Sequence, residues 1–172
     1  MSVHLQKVRL FATTKDEVNA GTDSGVEFWF WVNSHSWTTF PTKGWNSQEL
    51  DHAWDDRERG RTEMYEVDFQ GGDIGINVSG TPVPRGITFN DFTHARTASF
   101  WLRMKGSDWW RIDHYYLLGY FKELRHIPGT IDSFETIDHS WLLMARRDTD
   151  VDMSTDPSEG ATWHYIELNG TF

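Results

Sequence analysis

Polar and apolar positions along this chain alternate with a period of two more clearly than with the helical period of about 3.6, the mark of strands with one face in a core. Val8, Leu10 and Ala12 alternate with Arg9 and Phe11, which predicts a first strand ending near Thr13. Residues 25–32 are β-branched and aromatic throughout, the pattern of a central strand covered on both faces. Over 62–69, Met64, Glu66 and Asp68 alternate with Tyr65, Val67 and Phe69, and the second set is expected to face inward. Further strands are expected near 75–78, 97–104, 112–122, 140–147 and 161–168. Only 115–124 carries a trace of helical spacing.

About eight strands separated by turn-rich loops predict an all-β fold, an antiparallel β-sandwich. Two stretches, 71–94 and 125–138, hold Gly-Gly, Pro and Pro-Gly signals and are expected to be longer loop insertions. No internal repeat or low-complexity linker divides the sequence, so residues 1–172 are expected to form one domain.

Composition narrows the function. Ten of the 172 residues are Trp, more than a core of this size hides easily, so some are expected at a binding surface. Trp37 and Phe40, in a polar stretch after the second strand, are candidates. The absence of Cys excludes disulfides, thiolate metal sites and thiol chemistry. The N-terminal residues lack the apolar core of a signal peptide, and no apolar run reaches membrane-spanning length. A soluble protein is expected, its compartment unassigned, with secretion by another route or peripheral membrane association open. A net charge of −10 argues against nucleic acid as a partner. It permits a phospholipid surface only where cations bridge the two.

Four segments concentrate the chemistry. Residues 16–23 combine Asp16, Glu17, Asn19, Gly21 and Asp23; calcium takes six to eight oxygens, and Gly frees the backbone to turn a carbonyl toward an ion. The same residues also suit an Asx-turn. Asp51, Asp55 and Asp56 crowd a second loop, where a cation or the nearby Arg57, Arg59 and Arg61 would relieve their repulsion. Asp108 precedes Trp109 and Trp110 at a third loop, an arrangement suited to a membrane interface or a sugar ring, although one of the two Trp is expected to pack under the sheet edge. Asp148, Asp150, Asp152, Asp156 and Glu159 have the ligand spacing of an EF-hand loop, but Met153 stands where that loop needs Gly and no flanking helices are predicted. A solvated acidic loop between the last strands fits them better than a calcium site.

Catalytic patterns are absent. Eight His are scattered without metal-ligating or nucleophile-elbow spacing. Asp138-His139-Ser140 and Asp113-His114 are sequence neighbours, and neighbours on a regular strand point to opposite faces.

Three stretches resemble the PLAT/LH2 family of lipid-associating sandwiches, most closely the membrane-binding C-terminal domain of clostridial alpha-toxin-type phospholipases C. They are Asn19-Ala20-Gly21-Thr22-Asp23, the run from Asp51 through Gly60 to Tyr65, and Phe100-Trp101-Leu102-Arg103 with Ser107-Asp108-Trp109-Trp110. The chain departs from that pattern in its two insertions, in His52 where the pattern has an amide, and in Trp54 where it has Gly. The resemblance implies a PLAT/C2-like sandwich with calcium as cofactor. One site would use the Asn19 side chain, the Gly21 carbonyl, Asp108 and the Trp109 carbonyl, with Asp23 adjacent. A second would use Asp51, Asp56 and Asp55 with carbonyls of His52 and Trp54. The reading that follows is a non-catalytic, calcium-dependent lipid- or membrane-binding module, with Trp37, Phe40, Trp54, Trp109 and Trp110 as surface contacts. A carbohydrate-binding sandwich with a structural calcium and a protein-interaction or assembly module are the alternatives.

Overall fold

The computed structural model describes residues 2–32, 44–51, 57–68, 74–76, 82–84, 87–88, 98–106, 108–130 and 134–168. Among these no α-helix occurs, and the strands form two large antiparallel sheets and a small hairpin. The first sheet is built on β1 (Ser2–Thr14), β4 (Thr62–Asp68), β9 (Trp110–His126) and β10 (Phe134–Asp138), in the order β10-β9-β1-β4. Its remaining strands are β7 (Ile87–Thr88), which pairs with β1, and β11 (Leu142–Arg147) and β12 (Val151–Met153), which pair with β9. The second sheet has the order β13-β8-β2-β3, from β2 (Val26–Val32), β3 (Gly44–Leu50), β8 (Ala98–Met104) and β13 (Trp163–Ile166). The hairpin joins β5 (Ile74–Ile76) to β6 (Pro82–Pro84).

The core lies between the two large sheets and follows the alternation read from sequence. Val8, Leu10, Tyr65, Val67, Leu117 and Phe121 enter it from one sheet, and Val26, Phe28, Phe100, Leu102 and Ile166 from the other. Phe28 and Phe100 meet with ring centroids 5.5 Å apart. Each such side chain contributes about 1.5–3 kcal/mol by leaving water. Phe69 lies outside the described residues.

The strand expected near 112–122 is found within β9, where the Tyr and Leu residues of 115–124, the stretch with a trace of helical spacing, alternate between the core and the outer face. One side of this long strand pairs with β1 and the other with β10, β11 and β12 in turn. The 125–138 stretch is not simply an insertion, since it holds β10, and the 71–94 stretch holds β5, β6 and β7. Residues 25–32 hold β2, flanked by two other strands, but over its first four residues only one face is covered: Val26 and Phe28 are buried while Glu27 and Trp29 are partly open to solvent.

Candidate functional site

Three connections meet at one end of the sandwich. The loop after β1 is tied to the one before β4, since the Thr14 N–H donates to the Arg61 carbonyl at 2.9 Å and the Gly60 N–H to the Thr14 carbonyl at 3.1 Å. Arg59 and Asp16 form an ion pair across the same gap at 3.2 Å. Gly21 is required here: a Cβ on it would lie 2.6 Å from the Arg57 carbonyl oxygen, a backbone atom that cannot swing away. Arg57 is itself left-handed, with φ of 59°, and its buried guanidinium donates to the Leu50 carbonyl at 2.7 Å.

The third connection, between β8 and β9, completes the cluster. The Arg111 N–H donates to the Ala20 carbonyl and the Lys105 N–H to the Gly25 carbonyl, both at 2.9 Å. Asp108 is exposed and its carboxylate accepts two backbone hydrogen bonds, one from the Asp23 N–H at 3.1 Å and one from the Trp109 N–H at 3.0 Å. The loop of Asn19, Gly21 and Asp23 therefore meets Asp108 through Asp23, 85 residues earlier. Asn19 has φ of 61°, the left-handed region that Asn tolerates better than most side chains.

Trp109 and Trp110 part company. The Trp109 ring lies 4.4 Å beneath the Arg111 guanidinium, half-buried, and among the described residues its buried indole N–H has no acceptor. Trp110 is 1% exposed and donates from its indole nitrogen to the Thr14 hydroxyl at 3.0 Å. Trp110 is thus a core anchor beneath the loop tips and is no candidate for membrane contact. The expectation that one of the pair packs under the sheet holds for this one.

Of the second expected site, Asp51 is exposed at the end of β3, while His52, Trp54, Asp55 and Asp56 lie outside the described residues, as do Trp37 and Phe40. The EF-hand-like spacing does not wrap around a common centre. β12 runs through it, and each carboxylate has its own partner. Asp148 accepts from Arg146 at 2.7 and 2.8 Å, Asp150 pairs with Lys15, and Asp152 accepts from Arg111 at 2.9 Å. Asp156 accepts from the Ser158 N–H at 2.9 Å and from its hydroxyl at 2.7 Å, bonds that hold its carboxyl below the usual range. The Ser154 hydroxyl donates to Glu159 at 3.2 Å. Among the described residues no group of three or more His, Asp or Glu is gathered to hold a metal.

Two arrangements escaped the reading of the sequence. Asp113 and His114 do meet, with the Asp113 carboxylate 2.8 Å from Nδ1, and Nε2 lies 3.0 Å from the Thr13 hydroxyl. A β-bulge makes this possible: β1 and β9 pair Thr13 with His114 but Thr14 with Ile112, which leaves Asp113 as the extra residue and cancels the strict alternation of faces. The residue types are those of a nucleophile relay. Thr13, however, also shares a hydrogen bond with the Thr62 hydroxyl at 2.7 Å on the outer face of the sheet, so the chain of bonds fastens β9, β1 and β4 together. Between the sheets, the His164 ring lies 3.0 Å from the Tyr115 hydroxyl. Burial, and then the Arg147 charge, lower the His164 pKa from 6.5 to about 4. Burial also raises the Tyr115 hydroxyl to about 12.

The second arrangement is aromatic. Trp29, Trp101, Trp163 and Tyr165 lie on the outer face of the second sheet, opposite to the buried Phe28, Leu102 and Ile166. The i, i+2 spacing of Trp163 and Tyr165 was the available sequence signal, since it places both rings on one face of a strand.

No protein-family model and no curated protein matches the sequence. Among solved structures, an alpha toxin from Clostridium absonum matches with a TM-score of 0.55 at 13% identity, over 97% of this chain and 32% of the toxin. The alpha-toxin of an avian strain of Clostridium perfringens matches with a TM-score of 0.55 at 12% identity, over 95% of this chain and 32% of that one. The likeness anticipated from three stretches of sequence is therefore met at the level of architecture. At such low identity it is the fold that is shared, and this chain, spanning about a third of the toxins' length, is an antiparallel β-sandwich built like one part of a clostridial alpha-toxin.

Proposed function

We propose that this chain is a calcium-dependent module that binds lipid or membrane surfaces and has no catalytic activity of its own. The observation that carries this reading is the hydrogen bond from the Asp23 N–H to the Asp108 carboxylate, at 3.1 Å, which joins two loops chosen from sequence as calcium ligands. Their donors are hard oxygens, as calcium prefers: the Asn19 amide, the Asp108 and Asp23 carboxylates, and the Gly21 and Trp109 carbonyls. Two carboxylates form a lightly charged set, so affinity belongs at the weak end of the calcium range, about 10⁻⁴–10⁻³ M. Bound there, the ion would offset the local negative charge and supply a bridge to lipid phosphate. Asp55, Asp56, Asp51, Trp54 and His52 would form a second site, and Trp37, Phe40 and Trp54 would serve as further contacts. The likeness to alpha-toxins supports the reading at the level of fold.

Calorimetry with calcium on chelator-stripped protein, followed by liposome flotation with and without the ion, tests the proposal. Asp108→Ala is expected to abolish both calcium binding and flotation, and Asp113→Ala neither. Equal loss in both variants, or calcium binding with no flotation, would overturn it.

A further inference from the structure

We infer that the outer face of the second sheet is a binding platform for a neutral carbohydrate chain, separate from the loop-end site and independent of calcium. Register arranges the face in two rows. Trp163, Arg103 and Glu27 stand side by side across β13, β8 and β2, and Tyr165, Trp101 and Trp29 form the next row. Trp163 and Tyr165 are 42% and 41% exposed, although both are large aromatics on an edge strand. Among the described residues of these two rows no aliphatic side chain appears.

The rings are held in place before any ligand arrives. The Trp29 indole N–H donates to Glu27 at 2.6 Å, and the same carboxylate oxygen lies 3.3 Å from Arg103. The Arg103 guanidinium sits over both the Trp29 and Trp163 rings, 5.6 and 5.1 Å from their centroids. Trp29 meets Trp163 edge to face at 5.4 Å, and Trp101 meets Tyr165 at 4.9 Å. Rings locked this way lose little rotamer freedom on binding, which is how a small contact area becomes useful affinity.

Size and chemistry select the occupant. Three strands about 4.8 Å apart and two rows about 7 Å apart make a platform on the order of 200 Å². A stable protein interface needs about 800 Å² on each partner, several times what these six side chains offer by themselves. Insertion into a bilayer would strip water from Glu27 and Arg103, and from the Lys105–Glu49 ion pair (3.2 Å) beside them. A pyranose chain of a few rings matches on each count. Its C–H faces suit the negative faces of the aromatic rings, and its hydroxyls can donate to Glu27 and accept from Arg103. Arg103 and Lys105 balance Glu27 and Glu49 locally, while the net charge of −10 repels acidic polysaccharides, and this selects a neutral sugar.

The test is binding of the full chain to an array of neutral glycans in chelator and again in calcium, followed by titration of the strongest hit by calorimetry. Equal binding in both buffers is expected. Trp163→Ala should weaken it at least about tenfold, as for loss of one stacking contact, and Trp163→Phe should largely restore it. Unchanged melting temperatures would show that the variants keep the fold, and Tyr165→Ala supplies a second variant if one does not. Binding to no neutral glycan, undiminished binding in both alanine variants, or a concentration-dependent dimer abolished by Trp163→Ala would overturn the inference. Because the chelator arm needs no ion, failure here and failure of the calcium reading are separate results.

Discussion

Two acidic segments of this protein look alike in sequence and behave differently in the fold. The loop after β1, which holds Asn19, Gly21 and Asp23, reaches Asp108 through the Asp23 N–H, and among the described residues that exposed carboxylate is held by backbone N–H groups. In the stretch from Asp148 to Glu159, the more regular spacing leads nowhere in common, because Arg146, Lys15, Arg111, Ser158 and Ser154 answer its carboxylates separately, Lys15 and Arg111 pairing with Glu17 of the first segment as well. Spacing creates a cation site only when the chain can curl so that its oxygens converge. β12 holds the middle of the second segment extended against β9, with Val151 and Met153 anchored in the core. The first segment has no such obligation, and the absence of a Cβ at Gly21 lets it pass close to the Arg57 carbonyl.

Several changes would break or sharpen this contrast. Trp110→Ala removes the anchor beneath the loop end and its bond to Thr14, and should cost about 3–5 kcal/mol in urea unfolding. Gly21→Val forces the first loop off the Arg57 carbonyl and should cost about 1–3 kcal/mol, with weaker calcium binding in calorimetry. Saturating calcium should stabilise the wild-type chain by about 1–3 kcal/mol. Asp108→Ala should lose that increment and Asp152→Ala keep it; a reversed pattern would move the site to the second segment.

Acid separates the interior from both segments. The unfolded chain binds a proton at His164 near pH 6.5, whereas in the fold burial holds this off to about pH 4. The contribution is therefore fully present above pH 6.5 and falls away between 6.5 and 4, by about 1–2 kcal/mol once partial exposure is allowed for. Unfolding at stepped pH should show this slope in the wild type and a flatter profile in His164→Gln. Asp156 acts in another window: its carboxyl is held below the usual 3.8, so its share is present above that value and is lost only in stronger acid. The smallest effect is expected of Asp148→Ala, whose exposed pair with Arg146 should be worth about 0–1 kcal/mol in the same assay.

Legibility followed local regularity. β1 and β4 could be read because one face of each enters the core and the alternation is clean, and β2 because its residues are β-branched and aromatic throughout. β3 was not foreseen, since Gly44 to Leu50 is mostly polar and holds its place as an edge strand through its register with β2. β10 and β12 were hidden for a related reason, each being short and stabilised mainly by its place along β9. The contact between Asp113 and His114 was excluded on a sound rule that a single bulge suspends.

The sequence by itself determined the strand period, the two-faced core and the identity of the acidic loops, because alternation and turn chemistry are local properties of neighbouring residues. Only the tertiary structure decided which of those loops meet, that Trp110 is an anchor while Trp163 and Tyr165 stand open, and that four aromatic rings share one face. Those outcomes depend on register between strands far apart in the chain, and register is set by how whole faces pack rather than by any short stretch of residues.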